Sequence, residues 1–237
     1  MASLLLLAGC TDGGGAGPSP SGDGPRPSAS PTRDPAAVVT SAREAAAAAR
    51  SVVVTRMTQD GDDWTHEDIE VDFTAPPSAR VLHVGDDIWT LDLVEGVGYL
   101  KDQGDRKSTN RWSRLSEADT AAYLRDVSPE GLLGALDAAT SVARPTEATV
   151  RDVPATCHAF VLDAARALAA EQADEEGSPG TAPPTTASAR LCLDGGGRPV
   201  ESVVTIGDRV TTSVFSQWGF AVEAMPPPAN LVDEPSG

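Results

Sequence analysis

From Trp64 to Phe73 the sequence alternates without a break: Thr65, Glu67, Ile69, Val71 and Phe73 fall on one side of an extended chain, Trp64, His66, Asp68, Glu70 and Asp72 on the other. Successive side chains of a strand point to opposite faces, so this run buries one face and leaves the other wet. Such a strand must pair edge to edge, and its flanks supply partners. Ser51 to Thr55 precedes it across the turn dipeptide Asp60-Gly61, and Arg80 to Val84, Ile88 to Val94 and Val97 to Lys101 follow, parted by Gly85-Asp86 and Glu95-Gly96. These segments predict an antiparallel meander. Within it Trp89, Leu91 and Leu93 alternate with Ile88, Thr90 and Asp92, and Gly96 and Gly98 permit the bending of a curved sheet.

Helix signals surround this meander. Asp34-Pro35 pairs an N-cap residue with proline at the first helical position, ahead of an alanine-rich helix from Ala36 to Arg50 with Val38, Val39 and Ala42 on one side. After a polar loop (Asp102 to Asn110) and a short strand (Trp112 to Leu115), Ser116 caps a helix running to Asp126. Ser128-Pro129-Glu130 then opens another, with Leu132, Leu133 and Leu136 facing inward. Strands resume at Ala148 to Val153 and Thr156 to Leu162, and a helix follows from Asp163 to Gln172. The closing strands are Ala189 to Leu193, Val200 to Ile206 and Val210 to Gln217, joined as hairpins by Asp194-Gly195-Gly196-Gly197 and Gly207-Asp208. The expected fold is α+β, a curved antiparallel sheet forming an incomplete barrel around short helices, over residues 35–228.

Outside it the composition changes. Thr11 to Arg33 and Ala173 to Ala187 are Gly, Pro, Ser and Thr segments that bury too little apolar surface to offset chain entropy, and 229–237 reads as a disordered tail. The Gly13-Gly14-Gly15 run is no phosphate cradle, having no strand before it and no helix after. Ahead of the tether stands Leu6-Leu7-Ala8-Gly9-Cys10, a bacterial lipobox in which Cys10 would carry a diacylglyceryl group. Residues 1–9 read as a signal-peptide remnant, since Met1-Ala2-Ser3 has no basic residue and Leu4 to Ala8 falls short of the roughly 7–15 apolar residues of such a segment. Residues 10–34 are then lipidated cysteine and tether, the expected location is the extracytoplasmic face of the cell membrane, and the lipid is its expected contact with that membrane. With Cys10 lipidated, Cys157 and Cys192 remain as an even pair; in an exported chain they are expected to form a disulfide closing a loop of about 36 residues, worth roughly 4 kcal/mol in the chain-entropy account. The alternative is two buried free thiols.

Charge and motifs narrow the chemistry. A net charge of −17 disfavours nucleic acid and anionic membrane surfaces by sign. Lysine occurs only at 101 and 107 while Arg, Ala, Gly, Pro and Asp abound, a bias of GC-rich actinobacteria. His66, His83 and His158 share no metal spacing and read as single surface or half-buried histidines. Asp60, Asp62, Asp63 and Glu67 lack the closing bidentate Glu of a calcium loop and read as a solvated hairpin tip. No catalytic constellation or cofactor fingerprint stands out, so the chain reads as a non-enzyme.

The order of lipobox, tether, helix, meander, helical pair and closing hairpins ending in Ser216-Gln217-Trp218-Gly219-Phe220-Ala221-Val222 resembles the actinobacterial LppX/LprG-type lipoproteins and, more distantly, LolA-like periplasmic carriers. Gly85-Asp86-Asp87-Ile88-Trp89, Trp112 with Leu115, and Leu193-Asp194-Gly195 leading into Gly197-Arg198-Pro199-Val200 carry the local likeness. The resemblance implies a half-barrel whose concave side encloses helices and an apolar cavity, hence binding or transport of a lipid or lipoglycan. Ile69, Val71, Phe73, Trp89, Leu91, Leu93, Leu132, Leu133 and Leu136 would then line the cavity, or else simply fill a core. Trp218 would be a rim residue or an ordinary anchor. A filled core would instead suit a structural or sensory ectodomain acting on an envelope protein partner. For the anchor, Cys10→Ala is expected to release the chain from membranes into the soluble fraction, because two acyl chains hold a protein where one does not; persistent membrane association would overturn the lipobox.

Overall fold

The computed structural model describes residues 34–104, 110–171 and 184–233. The expected lipobox with Cys10, the expected tether to residue 33, residues 105–109 of the polar loop, residues 172–183 and residues 234–237 lie outside the described residues.

Two long strands, β1 (Ser51–Asp60) and β2 (Asp63–Asp72), pair along their full length, Ser51 opposite Asp72 and Asp60 opposite Asp63. β3 (Ser78–Val84), β4 (Ile88–Val94), β5 (Val97–Asp102) and β6 (Trp112–Arg114) continue as the expected meander. A second antiparallel series consists of β9 (Val153–Leu162), β10 (Ala187–Leu193), β11 (Pro199–Ile206) and β12 (Arg209–Ser216). β12 pairs with β1, which joins the two series into one sheet. Both β7 (Ala139–Val142) and β8 (Thr146–Val150) pair with β9, and β13 (Val232–Asp233) runs parallel to β6. The order is β13-β6-β5-β4-β3-β2-β1-β12-β11-β10-β9-β7, a curved sheet that does not close.

Among the described residues, four α-helices accompany the sheet. α1 (Pro35–Ala49) starts where Asp34 accepts the Ala36 N–H at 3.0 Å, and it buries Val39, Ala42 and Ala46. α2 (Glu117–Asp126) is capped by Ser116, which accepts from the Asp119 N–H at 3.1 Å. α3 (Pro129–Leu132) is a single turn capped by Ser128 and followed by a 3-10 turn, Gly134–Ala138, so the second predicted helix of the pair is shorter than expected. α4 (Ala164–Glu171) buries Ala167 against the same core. That core takes Val52, Val54, Ile69, Val71, Leu91 and Leu93 from the sheet and Leu132, Leu133 and Leu136 from the helical segment. Each buried branched side chain contributes about 1.5–3 kcal/mol. Arg43 of α1 clamps the segment in place: its guanidinium forks onto Asp137 at 2.8 and 2.9 Å and donates to the carbonyls of Glu130 and Leu133.

Several expectations need correction. β1 extends five residues past its β-branched run, because the mostly polar Arg56–Asp60 is paired on both sides, by β2 and β12. The strand expected at Ala148 to Val153 is two strands, turning at Arg151 and Asp152, whose φ values of 47° and 67° form a tight hairpin without the usual glycine. β7 carries no clear alternation and follows from its pairing with β9. Residues 229–233 are ordered rather than loose, since β13 adds to β6 while Arg111 grips Asp233. Asp92 is 2 % exposed on the outer face, where Arg80 donates to both its oxygens at 2.8 and 3.3 Å. Gly98 serves a close approach: a Cβ there would lie 2.9 Å from Leu115 Cδ1 and from Thr120 Oγ1, which accepts the Gly98 N–H at 3.2 Å.

Cys157 and Cys192 sit directly opposite each other on β9 and β10 and form a disulfide with an S–S distance of 2.05 Å. With Val150, Ala155 and Val200 they make a second, smaller apolar cluster. A free-thiol assay on the oxidised, denatured chain carrying Cys10→Ala is expected to read zero, and two reactive thiols would contradict the bridge. Gly131 packs so tightly that a Cβ would meet the Arg125 carbonyl oxygen at 2.2 Å and Asp126 Cα at 2.6 Å. Gly131→Ala is therefore expected to cost about 1–3 kcal/mol and to lower the Tm by roughly 5 °C, measured by thermal unfolding.

Candidate functional site

Antiparallel register arranges residues in rows across the concave face of the sheet. One row, Phe215, Val54, Ile69, Val81 and Leu91, is apolar and at most 5 % exposed. Two residues along each strand the row reads Ser202, Ser213, Arg56, Glu67, His83 and Trp89, crossing β11, β12, β1, β2, β3 and β4. The next brings together Val204, Thr211, Thr58 and Thr65, and the last, at the hairpin ends, Ile206, Arg209, Asp60 and Asp63. Polarity thus rises along one face. β1 shows it as Val54, Arg56, Thr58, Asp60.

The charged row is continuous. Arg56 Nη1 donates to Glu67 Oε2 at 3.1 Å, and His83 Nδ1 lies 3.2 Å from Glu67 Oε1. The His83 ring stacks on Trp89 with centroids 4.6 Å apart and planes within 1°, and Tyr123 of α2 meets Trp89 edge-on at 6.2 Å. Burial opposes ionisation of Glu67, whose side chain is 19 % exposed, but the hydrogen bond to His83 and the charge of Arg56 outweigh it and hold the carboxyl below its ordinary range. Glu67 is accordingly an anion that already has its countercharge.

Against this face the helical segment leaves a cavity of about 850 Å³. Ile69, Val81 and Val204 line it from the sheet, and Leu115, Tyr123, Val127, Leu132, Leu133 and Leu136 from the helical side. The polar rows form the rest of the wall. Exposed Asp60, Asp63, Trp64 and Asp119 mark its rim.

Of the residues expected to line a cavity, the structure brings Ile69, Trp89, Leu132, Leu133 and Leu136 to its wall. Val71, Leu91 and Leu93 lie elsewhere, fully buried in the core, and Phe73 packs half-buried against it. Alternation reports which face is covered, whereas the helices decide which stretch of that face is filled. His66 faces outward, 3.2 Å from Asp68, and His158 is buried beside a smaller 280 Å³ hollow under the start of α1. Trp218 is an anchor: it donates to the Pro199 carbonyl at 3.1 Å and stacks on Phe215. Among the described residues no group of three or more His, Cys, Asp and Glu could hold a metal ion. Arg56, His83, Ser202 and Ser213 were not singled out as site residues from the sequence, and Glu67 was assigned to the hairpin tip. Their signal is phase: Glu67 is two residues from Ile69 and four from Val71, Arg56 is two from Val54, and Ser213 is two from Phe215, so each polar group shares its strand's buried side.

No protein-family model and no curated protein sequence matches the chain. Solved structures do match. LppX, a lipoprotein of Mycobacterium tuberculosis, aligns with a TM-score of 0.57 and 16 % identity, covering 81 % of this chain and 100 % of its own. LprF of Mycobacterium bovis aligns with a TM-score of 0.55 and 13 % identity, covering 83 % and 99 %. Identity this low speaks for the fold alone. An open, curved antiparallel sheet with short helices is therefore the fold that this chain shares with LppX and LprF.

Proposed function

We propose that the chain is an envelope lipoprotein, anchored through Cys10, that shelters a hydrophobic ligand in the cavity between its sheet and helical segment. One observation carries the reading: a space of about 850 Å³ whose inner wall is Leu, Ile and Val. That volume is within the ~300–1,000 Å³ of small-molecule sites, which are mostly apolar with a few placed polar groups. Each methylene moved from water into such a wall contributes about 0.8 kcal/mol. Leu6-Leu7-Ala8-Gly9-Cys10 supports the anchor, as does the likeness in fold to LppX, itself a lipoprotein. The lipid would hold the domain at a membrane while its acidic surface keeps it soluble.

Uptake can be measured by mixing the full-length chain, made with Cys10→Ala so that no anchor holds it to the bilayer, with vesicles that contain pyrene-labelled diacylglycerol, separating protein from vesicles and reading pyrene in the protein fraction. The chain with its native cavity is expected to carry label. Ala122→Trp, which projects an indole from α2 into the cavity, is expected to lower uptake several-fold with little change in Tm. A label-free protein fraction from the chain with its native cavity would overturn the carrier reading.

A further inference from the structure

The charged row holds more hydrogen-bonding capacity than the protein uses. Ser202 and Ser213 are directly opposite one another on β11 and β12, 4 % and 5 % exposed, and both line the cavity. Neither hydroxyl has a hydrogen-bond partner among the described residues. Both hydroxyls open onto the cavity rather than being sealed in its wall, so their unused hydrogen-bonding capacity faces whatever occupies that space. Arg56 is opposite Ser213 in the same row. It spends Nη1 on Glu67 and has no other hydrogen-bond partner among the described residues, so further guanidinium donors remain beside the two serines.

We infer that Arg56, Ser213 and Ser202 form a polar subsite for an uncharged, oxygen-rich group of the ligand, ester carbonyls or sugar hydroxyls, and that the cavity discriminates against anionic head groups. This rests on the carrier reading above and names the class of ligand. Directly opposed positions in neighbouring strands are about 5 Å apart, so the three donors span the width of a glycerol ester or a sugar ring. The apolar part of the ligand lies against Ile69, Val81 and Leu136, one row deeper.

Charge decides the sign of the head group's preference. Arg56 would draw a phosphate if it stood alone, but Glu67 already neutralises it at 3.1 Å. The rest of the lining adds Asp60, Asp63, Asp119, Asp126 and Glu171 against Arg209 alone. A second anion would enter a negative enclosure where screening is weaker than in bulk water.

The experiment presents the full-length chain carrying Cys10→Ala, which removes the anchor, with vesicles containing one of three dioleoyl lipids, dioleoylglycerol, monogalactosyl dioleoylglycerol or dioleoylphosphatidylglycerol, and counts bound lipid by native mass spectrometry after vesicle removal. With acyl chains matched, the uncharged lipids are expected to load at least tenfold above the phosphatidylglycerol, and the better of the two identifies ester or sugar as the group held. Ser202→Ala combined with Ser213→Ala is expected to lower uncharged loading about tenfold with an unchanged or raised Tm, because those hydroxyls bond nothing in the protein itself. Glu67→Gln, which frees the charge of Arg56, is expected to raise phosphatidylglycerol loading. Equal loading of all three lipids, or an unaltered double alanine variant, would overturn the subsite while leaving the carrier reading intact. Loading of none would overturn both.

Discussion

β1 is hydrogen-bonded to β2 on one side and β12 on the other, and its register with each aligns the whole concave face. Because strand side chains alternate with a period of two, a slip of one residue at either junction would turn Arg56 and Val54 outward and bring Thr55 and Met57 in. The penalty is large: Val52 and Val54 are fully buried, and the row through Val54 continues into Ile69 and Phe215. Apolar burial at one end of the strands therefore enforces the alignment of the polar groups at the other. The row from Ser202 to Trp89 exists because the row beside it is a core.

This coupling explains how the sheet tolerates charge on its inner face. Arg56, Glu67 and His83 would each be unfavourable there singly, but register places them side by side, and their mutual hydrogen bonds compensate for desolvation. Nor do the helices cover this stretch. Arg43 holds the 3-10 turn over the apolar end through Asp137 and two carbonyls, Gly131 lets α2 and α3 approach, and the space left over lies against the polar rows. The cavity is a consequence of where the helical segment stops covering the sheet.

Much of this was legible before folding. The alternation of Trp64 to Phe73, the turn dipeptides, the Ser116 and Ser128 caps and the inward Leu132, Leu133 and Leu136 all reappear. Each is a local signal, readable from neighbours along the chain. The Arg151-Asp152 turn was missed because no glycine or asparagine marks it and arginine seldom takes the positive φ that Arg151 adopts. The β13 tail was missed because two residues of strand have no pattern of their own, only a partner in β6. The polar site was half visible: Glu67 stood on the apolar phase of β2, yet a single charge in an apolar series acquires meaning only beside Arg56 and His83, residues 11 and 16 positions away.

By itself, the sequence determined most of the strands and turns, the helix starts and the even cysteine pair, because period, caps and composition act over a few residues. Tertiary structure alone decided which stretch of the inner face is core and which is cavity, and which polar groups meet within it. The reason is physical: burial and cross-strand contact are relations between segments far apart in the chain, so Val71 and Ile69, indistinguishable by alternation, part company only when the helices settle on one and leave room over the other.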